Sequence, residues 1–312
     1  MRGLIECVPN FSEGRDAGVV ETIRRAIMGV STACVLDTHI DADHNRSVIT
    51  FAARADYVVS AAFNAVKQAS ELIDLRKHTG EHPRLGATDV LPFIPLKNAT
   101  MDDCVQLAHQ AGERIARELN IPVYFYERAA LREDRINLED VRRGAFELLR
   151  DQITTVSSRV PDQGEARIHE SAGAIIIGAR PFLIAFNCVL GSNDLDAAKL
   201  IAKSIRARAG GLPFLKALGF NLATRNRVQV SMNLLNYQVT GMRHAYEAVR
   251  REAEKAGIEI ESAEIVGLVP QDALDESAEY FHKLENFSSS KILENQLAGC
   301  DFLEANVSVR PQ

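Results

Sequence analysis

The stretch RKHTGEHPRLG at residues 76–86 sets His78, Glu81, His82 and Arg84 in one turn punctuated by Gly80 and Gly86. Histidine titrates near neutral pH, so one imidazole can take a proton from one group and hand it to another. Pro83 biases the residue before it towards an extended backbone, which restrains the segment carrying the His82 ring. Two other polar loops carry related chemistry. PNFSEG at 9–14 offers the Asn10 amide, and DTHIDADHNR at 37–46 offers Asp37, His39, Asp41, Asp43, His44, Asn45 and Arg46. Arginine binds carboxylates through paired hydrogen bonds, so Arg46 and Arg84 suit an anionic substrate. His82 as general base with these two anchors needs no metal.

A second chemistry stays open at this point. HIDADH at 39–44 presents His39, Asp41, Asp43 and His44 as an HxDxDH string of potential metal ligands. It is similar to the HxHxDH of metallo-β-lactamase-type hydrolases, with Asp41 in place of the middle histidine. Such a site needs further histidines at later strand ends. The remaining candidates do not supply them: His109 and His282 fall in helical patterns and His169 in a loop.

Positioning these groups requires a sizeable scaffold. The chain has 312 residues, 46% hydrophobic and 25% charged, with a net charge of −6 and no basic block. That composition fits a globular protein of one large or two smaller domains and argues against nucleic acid as partner. Five dispersed cysteines without CxxC spacing point to reduced thiols in a cytoplasmic protein. The start of the chain does not read as a signal peptide. The apolar run Ala172 to Leu190 is interrupted by Arg180-Pro181 and Asn187, so it reads as two buried strands joined by a tight turn and not as a membrane span.

Hydrophobic periodicity then gives the elements. A strand over Leu4 to Val8 leads to a helix from Asp16 with Val19, Val20, Ile23, Ala26 and Ile27 on one face. Strands follow at Cys34 to Asp37 and Ser47 to Phe51, then a helix after Asp56 and a strand after the His82 loop. The pattern returns with a strand at Phe182 to Asn187, a helix from Asn193-Asp194, a strand at Val228 to Met232, a helix over Gly241 to Lys255 and a strand at Ile265 to Val269. The interval from Ile5 to Val48 is matched within one residue by that from Ile184 to Val228. The expectation is an α+β fold of duplicated ferredoxin-like (β-α-β-β-α-β) halves with facing sheets, residues 1–178 and 179–312. Between the repeats, helices are expected at Asp102 to Leu119 and Leu138 to Leu149, and Ser157 to Ser171 reads as a long loop crossing from one half to the other. Three polar loops leaving side-by-side strands would meet at one edge of the first sheet, as a binding or catalytic site requires.

Several long segments carry a family resemblance: LIECVPNFSEGRD at 4–16, NRSVITF at 45–51, GEHPRLGATDVLPFIP at 80–95, IPVYFYERAA at 121–130, ARPFLIAFN at 179–187, QVSMNLLNYQVTG at 229–241 and IVGLVP at 265–270. Through them the chain resembles the formiminotransferase domain family of folate-dependent glutamate formimidoyltransferases. The resemblance implies transfer of a formimidoyl group from N-formimidoyl-L-glutamate to N5 of tetrahydrofolate, with tetrahydrofolate as co-substrate and no metal. His82 matches the family's catalytic histidine. Asp37 is the carboxylate expected to hold the cationic amidine, with Asp41 and Asp43 as alternatives. Asn10, His39, Asn45, Arg46 and Arg84 are expected to contact the donor. The family's folate-contacting loop aligns with Gln163, Gly164, Glu165, Ala166, Arg167, Ile168, His169, Glu170, Ser171 and Ala172, a segment without aromatic side chains to stack on a pterin. A homodimer is expected by analogy, without nucleic-acid or membrane partners. The alternatives are the metal-dependent hydrolase, a transferase acting on formylglutamate, and a folate-binding protein without catalysis.

Overall fold

The computed structural model describes residues 3–80 and 83–302. They form two compact units: residues up to Arg180 together with Cys300, and Pro181–Gly299.

The first unit runs β1 (Leu4–Cys7), β2 (Asn10–Phe11), α1 (Ala17–Met28), β3 (Cys34–Asp41), β4 (Arg46–Arg54), α2 (Ala55–Leu72), β5 (Thr88–Lys97), α3 (Met101–Leu119), β6 (Val123–Glu127), α4 (Leu138–Val141), α5 (Ala145–Gln152) and β7 (Ile175–Ala179). Helix starts follow local chemistry. The Asp16 side chain accepts from the amides of Gly18 and Val19 at the start of α1, and Thr100 and Asp103 form a reciprocal capping box on α3. In the sheet, β4 lies between β3 and β1, and β1 pairs with β5, all antiparallel. The two-residue β2 bridges β4 and β5 below β1. Two further strands, β7 and then β6, extend the sheet in parallel beyond β5. One face packs Ile5, Ile49, Phe51 and Phe93 against α1, α2 and α3 through Val20, Ile23, Val66 and Leu107. On the other face, α4 and α5 bring Val141 and Leu149 to Val90, Tyr124, Tyr126 and Ile176.

The second unit runs β8 (Ile184–Leu190), α6 (Leu195–Ile205), β9 (Leu215–Leu222), β10 (Arg227–Leu234), α7 (Met242–Lys255), β11 (Ile260–Val266), α8 (Glu279–His282) and α9 (Leu293–Ala298). Its sheet has the order β11-β8-β10-β9, antiparallel throughout. The fold is therefore α+β with two sheets. The units are not plain copies, because only the first carries the parallel β5-β7-β6 extension.

Several expectations change. The apolar run at 172–190 does supply two strands, but β7 and β8 belong to different sheets and make no hairpin. Among the described residues no helix is long and apolar enough to cross a membrane. The 157–171 stretch stays in the first unit, because β7 after it completes that unit's sheet. The helix expected over 138–149 breaks into α4 and α5 where Gly144 and Ala145 both take positive φ, 80° and 55°. Strand β3 reaches Asp41, so the loop before β4 shrinks to four residues, 42–45. Strand β9 had no clear sequence signal, since it is an edge strand with Leu218 54% exposed.

The cysteines also depart from expectation. Cys34 at the start of β3 is disulfide-bonded to Cys300, with 6.1 Å between Cα atoms and a sequence separation of 266. Only tertiary structure brings such distant residues together, which is why spacing gave no sign of it. Cys7, Cys104 and Cys188 are buried free thiols. Closing so long a loop restrains the unfolded chain, so Cys34→Ser should lower stability under non-reducing conditions by roughly 2–4 kcal/mol. Reductant should lower the thermal midpoint of the parent protein and leave that of the variant unchanged. Denaturing alkylation without reductant should count three thiols, and a count of five refutes the link.

Candidate functional site

Side-chain alternation along β3 and β4 sorts the polar residues onto one face. Ile49, Phe51 and Ala53 belong to the core under the helices. The intervening pairs across β3 and β4 are Asp37 with Thr50, His39 with Val48 and Asp41 with Arg46. Paired residues share a face, so Asp37, His39, Asp41 and Arg46 line the side away from α1–α3. Asn10 joins them opposite Val48, and Glu6 opposite Ala52. The structure thus gathers Asn10, Asp37, His39 and Arg46 on one surface of the first sheet.

Asn45 ties the surrounding loops together. Its backbone is left-handed at φ 47°, a conformation asparagine tolerates better than most residues. Its Oδ1 accepts from the Gly14 amide at 3.0 Å, and its Nδ2 donates to the Thr79 carbonyl at 2.9 Å. Its own carbonyl accepts from His78 Nε2 at 2.9 Å. One residue thereby joins the loop after β2, the β3–β4 turn and the segment leading to His82. The packing there is tight: a Cβ on Gly14 would overlap the Asp41 carbonyl and the Arg46 amide. With Nε2 of His78 donating, Nδ1 is left as a buried nitrogen with no hydrogen-bond partner among the described residues. Burial lowers the His78 pKa and favours this neutral form.

The charged groups differ in how far they are engaged. Asp41 accepts from His44 twice, from the ring Nδ1 at 2.7 Å and the amide at 2.9 Å. Burial opposes ionisation of Asp41, yet the His44 hydrogen bonds prevail and hold its pKa at about 2. Among the described residues no three His, Cys, Asp or Glu side chains converge as metal ligands, so the 39–44 string does not assemble into the metal site considered above. Arg84 is paired with Glu147 of α5 through Nη2 at 2.9 Å and Nη1 at 3.3 Å, and Nη2 also donates to the His78 carbonyl. It therefore braces the loop against α5, a role its sequence position did not reveal. Arg46 is half-buried, and burial, followed by the charge of Arg142, pulls its pKa down to about 10. Arg142, at the end of α4, donates to Asp89 at 2.6 Å.

His82 and Glu81 lie outside the described residues. The segments on either side are held: Ser12 Oγ donates to the Gly86 carbonyl at 2.7 Å, and the Ala87 amide donates to the Ala172 carbonyl at 2.9 Å. The second bond attaches the end of the 163–172 loop to the His82 loop, as does the Leu75 amide on the Ser171 carbonyl. The other end of the loop sits elsewhere, with the Gln163 carbonyl accepting from the Val123 amide at the start of β6. Gly164 takes φ 88°, Ala172 is buried, and Ile168 packs on the α4–α5 core. Gly164, Glu165, Arg167 and Glu170 are exposed; Ala166, His169 and Ser171 are half-buried. His169 Nδ1 accepts from the Ala172 amide at 3.0 Å, closing the turn.

Two residues of this face were missed by sequence reasoning. Glu6 is 1% exposed, and burial pushes its pKa up to about 7 against the attraction of Arg180. Arg142 comes from a segment that reads as an ordinary amphipathic helix. No local signal marks either one, since both owe their setting to strand order.

Two family descriptions match the chain: "Formiminotransferase domain, N-terminal subdomain" over residues 4–180, and "Formiminotransferase domain" over 185–298. A protein of Thermoplasma acidophilum named glutamate formimidoyltransferase is 48% identical over 94% of this chain and 97% of its own length. One of the same name from Streptococcus pyogenes serotype M1 is 42% identical, covering 96% of this chain and all of that protein. The formimidoyltransferase-cyclodeaminase of Rattus norvegicus is 42% identical over 90% of this chain and 53% of its own length, so the chain spans about half of that larger protein.

Asn45→Ala removes two side-chain hydrogen bonds and leaves a β-carbon residue in left-handed backbone. It should cost roughly 2–4 kcal/mol in chemical denaturation, with Asn45→Gly recovering the backbone part, about 1 kcal/mol. An Ala variant as stable as the parent would refute the tie. Glu6 gives a pH signature. Its folded pKa of about 7 lies above the unfolded 4.5, so the folded state binds more protons between these values. The stability it contributes is present below pH 4.5 and is lost as pH rises through 7, by roughly 3 kcal/mol in all. Glu6→Gln should flatten that slope when unfolding is compared at acidic and mildly alkaline pH.

Proposed function

Since the chain belongs to the formiminotransferase domain family, we propose that it transfers the formimidoyl group of N-formimidoyl-L-glutamate to N5 of tetrahydrofolate, releasing L-glutamate. The observation that carries this reading is the near-full-length identity to proteins named glutamate formimidoyltransferase. A cytoplasmic location, a homodimeric assembly and a place in histidine breakdown come with the same reading.

The chemistry asks for a proton carrier and a site for opposite charges. N5 of tetrahydrofolate attacks the amidine carbon and forms a tetrahedral adduct. One proton leaves N5, another reaches the glutamate nitrogen, and the carbon–nitrogen bond to glutamate then breaks. His82 is the proposed carrier for both transfers, since an imidazole exchanges protons readily near neutral pH. The amidine is cationic, and Asp37 on the polar sheet face is the proposed counter-charge. Asn10, His39 and Asn45 orient the donor, and Arg46 receives a carboxylate. Arg84 is the proposed second carboxylate anchor; it already binds Glu147 and keeps a buried Nε without a hydrogen-bond partner among the described residues. For the folate, the 163–172 loop offers polar and backbone groups in place of stacking, with Gln163 and Gly164 foremost.

The decisive measurement supplies purified protein with N-formimidoyl-L-glutamate, with and without tetrahydrofolate, and follows glutamate release and the modified folate by mass spectrometry. Release that depends on tetrahydrofolate supports transfer. Release without it points to a hydrolase, and binding of the folate without turnover points to a carrier. His82→Ala should lower kcat by roughly 10²–10⁴-fold while substrate affinity changes little.

A further inference from the structure

The donor in the reading above carries two carboxylates, and the sheet edge near Arg46 holds more positive charge than Arg46 alone supplies. Strand order brings this charge together. Phe11 of β2 pairs with Ser47 on one side and Thr88 on the other. The register shifts between Asn10 and Phe11, leaving Asp89 as an extra residue of β5 beside the row that ends at Arg46. Asp89 is 3% exposed, and its Oδ1 accepts from the Leu85 amide at 2.8 Å while its Oδ2 binds Arg142 at 2.6 Å. A buried carboxylate thus holds the Arg142 guanidinium at the strand end where Arg46 begins β4.

Resting on the dicarboxylate reading of the donor, we infer that Arg142 and Arg46 together form the subsite that binds one of its carboxylates. Both residues have an Nε that is buried and without a hydrogen-bond partner among the described residues. A buried donor left unpaired is unfavourable unless something fills the gap. A ligand carboxylate set between two guanidiniums would supply acceptors to both. The charges around Arg46 place the two guanidiniums near each other: burial is the main cause of its pKa falling to about 10, Arg142 lowers it further, and Asp89 and Asp41 act the other way. Arg142 thereby supplies a second guanidinium beside Arg46; Arg84, which also keeps an unpaired buried Nε, is bonded to Glu147 and to the His78 carbonyl, on the side of the loop that leads to His82.

The test compares the parent, Arg142→Gln, Arg142→Lys and Asp89→Asn. Each is given the full donor and two shortened ones, the N-formimidoyl derivatives of 2-aminobutyrate and 4-aminobutyrate, which lack the side-chain and the α-carboxylate respectively. Arg142→Gln should raise KM for the full donor by roughly 10–100-fold with kcat nearly constant, the range expected for a lost charged hydrogen bond. One shortened donor should show a similar rise with the parent and little further rise with Arg142→Gln. Arg142→Lys should recover part of the loss. Asp89→Asn, which keeps Arg142 but weakens the carboxylate contact that fixes it, should raise KM by less than Arg142→Gln does. An unchanged KM in Arg142→Gln, equal losses for both shortened donors in parent and variant, or an Asp89→Asn loss equal to that of Arg142→Gln overturns the subsite. Calorimetric binding of the full donor separates this from the broader reading. A parent that transfers nothing to tetrahydrofolate, yet binds the donor in a manner that needs Arg142, overturns the transfer reading and supports the subsite.

Discussion

The first unit's polar face depends on Asn45. Its amide and carbonyl reach two other chain segments, at Gly14 and at His78–Thr79, through bonds that are buried or partly buried. The turn it occupies is short because β3 continues to Asp41, and from it Asn45 reaches both Gly14 and Thr79. A left-handed backbone aims the side chain across the turn, and asparagine combines that backbone with a donor and an acceptor. Glycine could supply the conformation but not the bonds. Serine could supply a bond but neither the reach nor the conformation.

The face it helps to organise follows from a period of two. In β4 the residues Ile49, Phe51 and Ala53 meet the helices, so Arg46, Val48, Thr50 and Ala52 must face the other way. Each strand beside β4 adds its own alternate residues to that side, which is how Glu6, Asn10, Asp37 and His39 come together from positions far apart in sequence. The burial on this face is not that of a hydrophobic core. Polar atoms on Glu6, Arg46 and Arg142 remain unpaired among the described residues. Unpaired buried groups cost stability, and functional surfaces are where proteins retain them.

Much of this was legible in the sequence. Period-two and period-3.6 patterns gave the strands and long helices, and the polar loops at 9–14, 37–46 and 76–86 were visible by composition. The start of the first helix at Asp16 was legible because capping chemistry is local; the caps at Thr100 and Asn120 on α3 came from the structure. What stayed hidden depends on long-range neighbours. Strand β9 lies at a sheet edge and lacks the apolar alternation that burial on one side imposes on its neighbours. The break at Gly144 hides in a helical pattern, since one glycine is compatible with either outcome. The Cys34–Cys300 link, the Glu147 partner of Arg84 and the place of Arg142 all arise from packing between remote segments. The 39–44 string misled for the opposite reason. On paper its ligands are close, but only His39 and Asp41 lie on the strand face, Asp43 and His44 fall in the turn after it, and the Asp41 carboxylate accepts from the His44 ring and amide.

The arginines show how the fold separates bracing from binding. All three candidates near this edge carry the same charge, and a substrate carboxylate can recruit one only by meeting unmet hydrogen-bonding capacity or by displacing a partner. Arg84 binds Glu147 with two nitrogens and the His78 carbonyl besides, so displacement would loosen the loop that carries the proposed proton carrier. Arg142 has one carboxylate partner, itself pinned by the Leu85 amide, which fixes the guanidinium in place while part of it stays unbonded. Arg46 faces Asp41 across the strand pair, but that carboxylate already accepts twice from His44. Commitment therefore falls from Arg84 to Arg142 to Arg46, and readiness to bind an anion rises in the same order. Arg84 and Arg142 each keep a buried Nε without a partner among the described residues, so what separates them is how many acceptors each already holds; a pre-fixed guanidinium with unfilled donors loses little freedom on binding. The fold reaches this gradation through where it places aspartate and glutamate, because the arginine side chain is the same at every position.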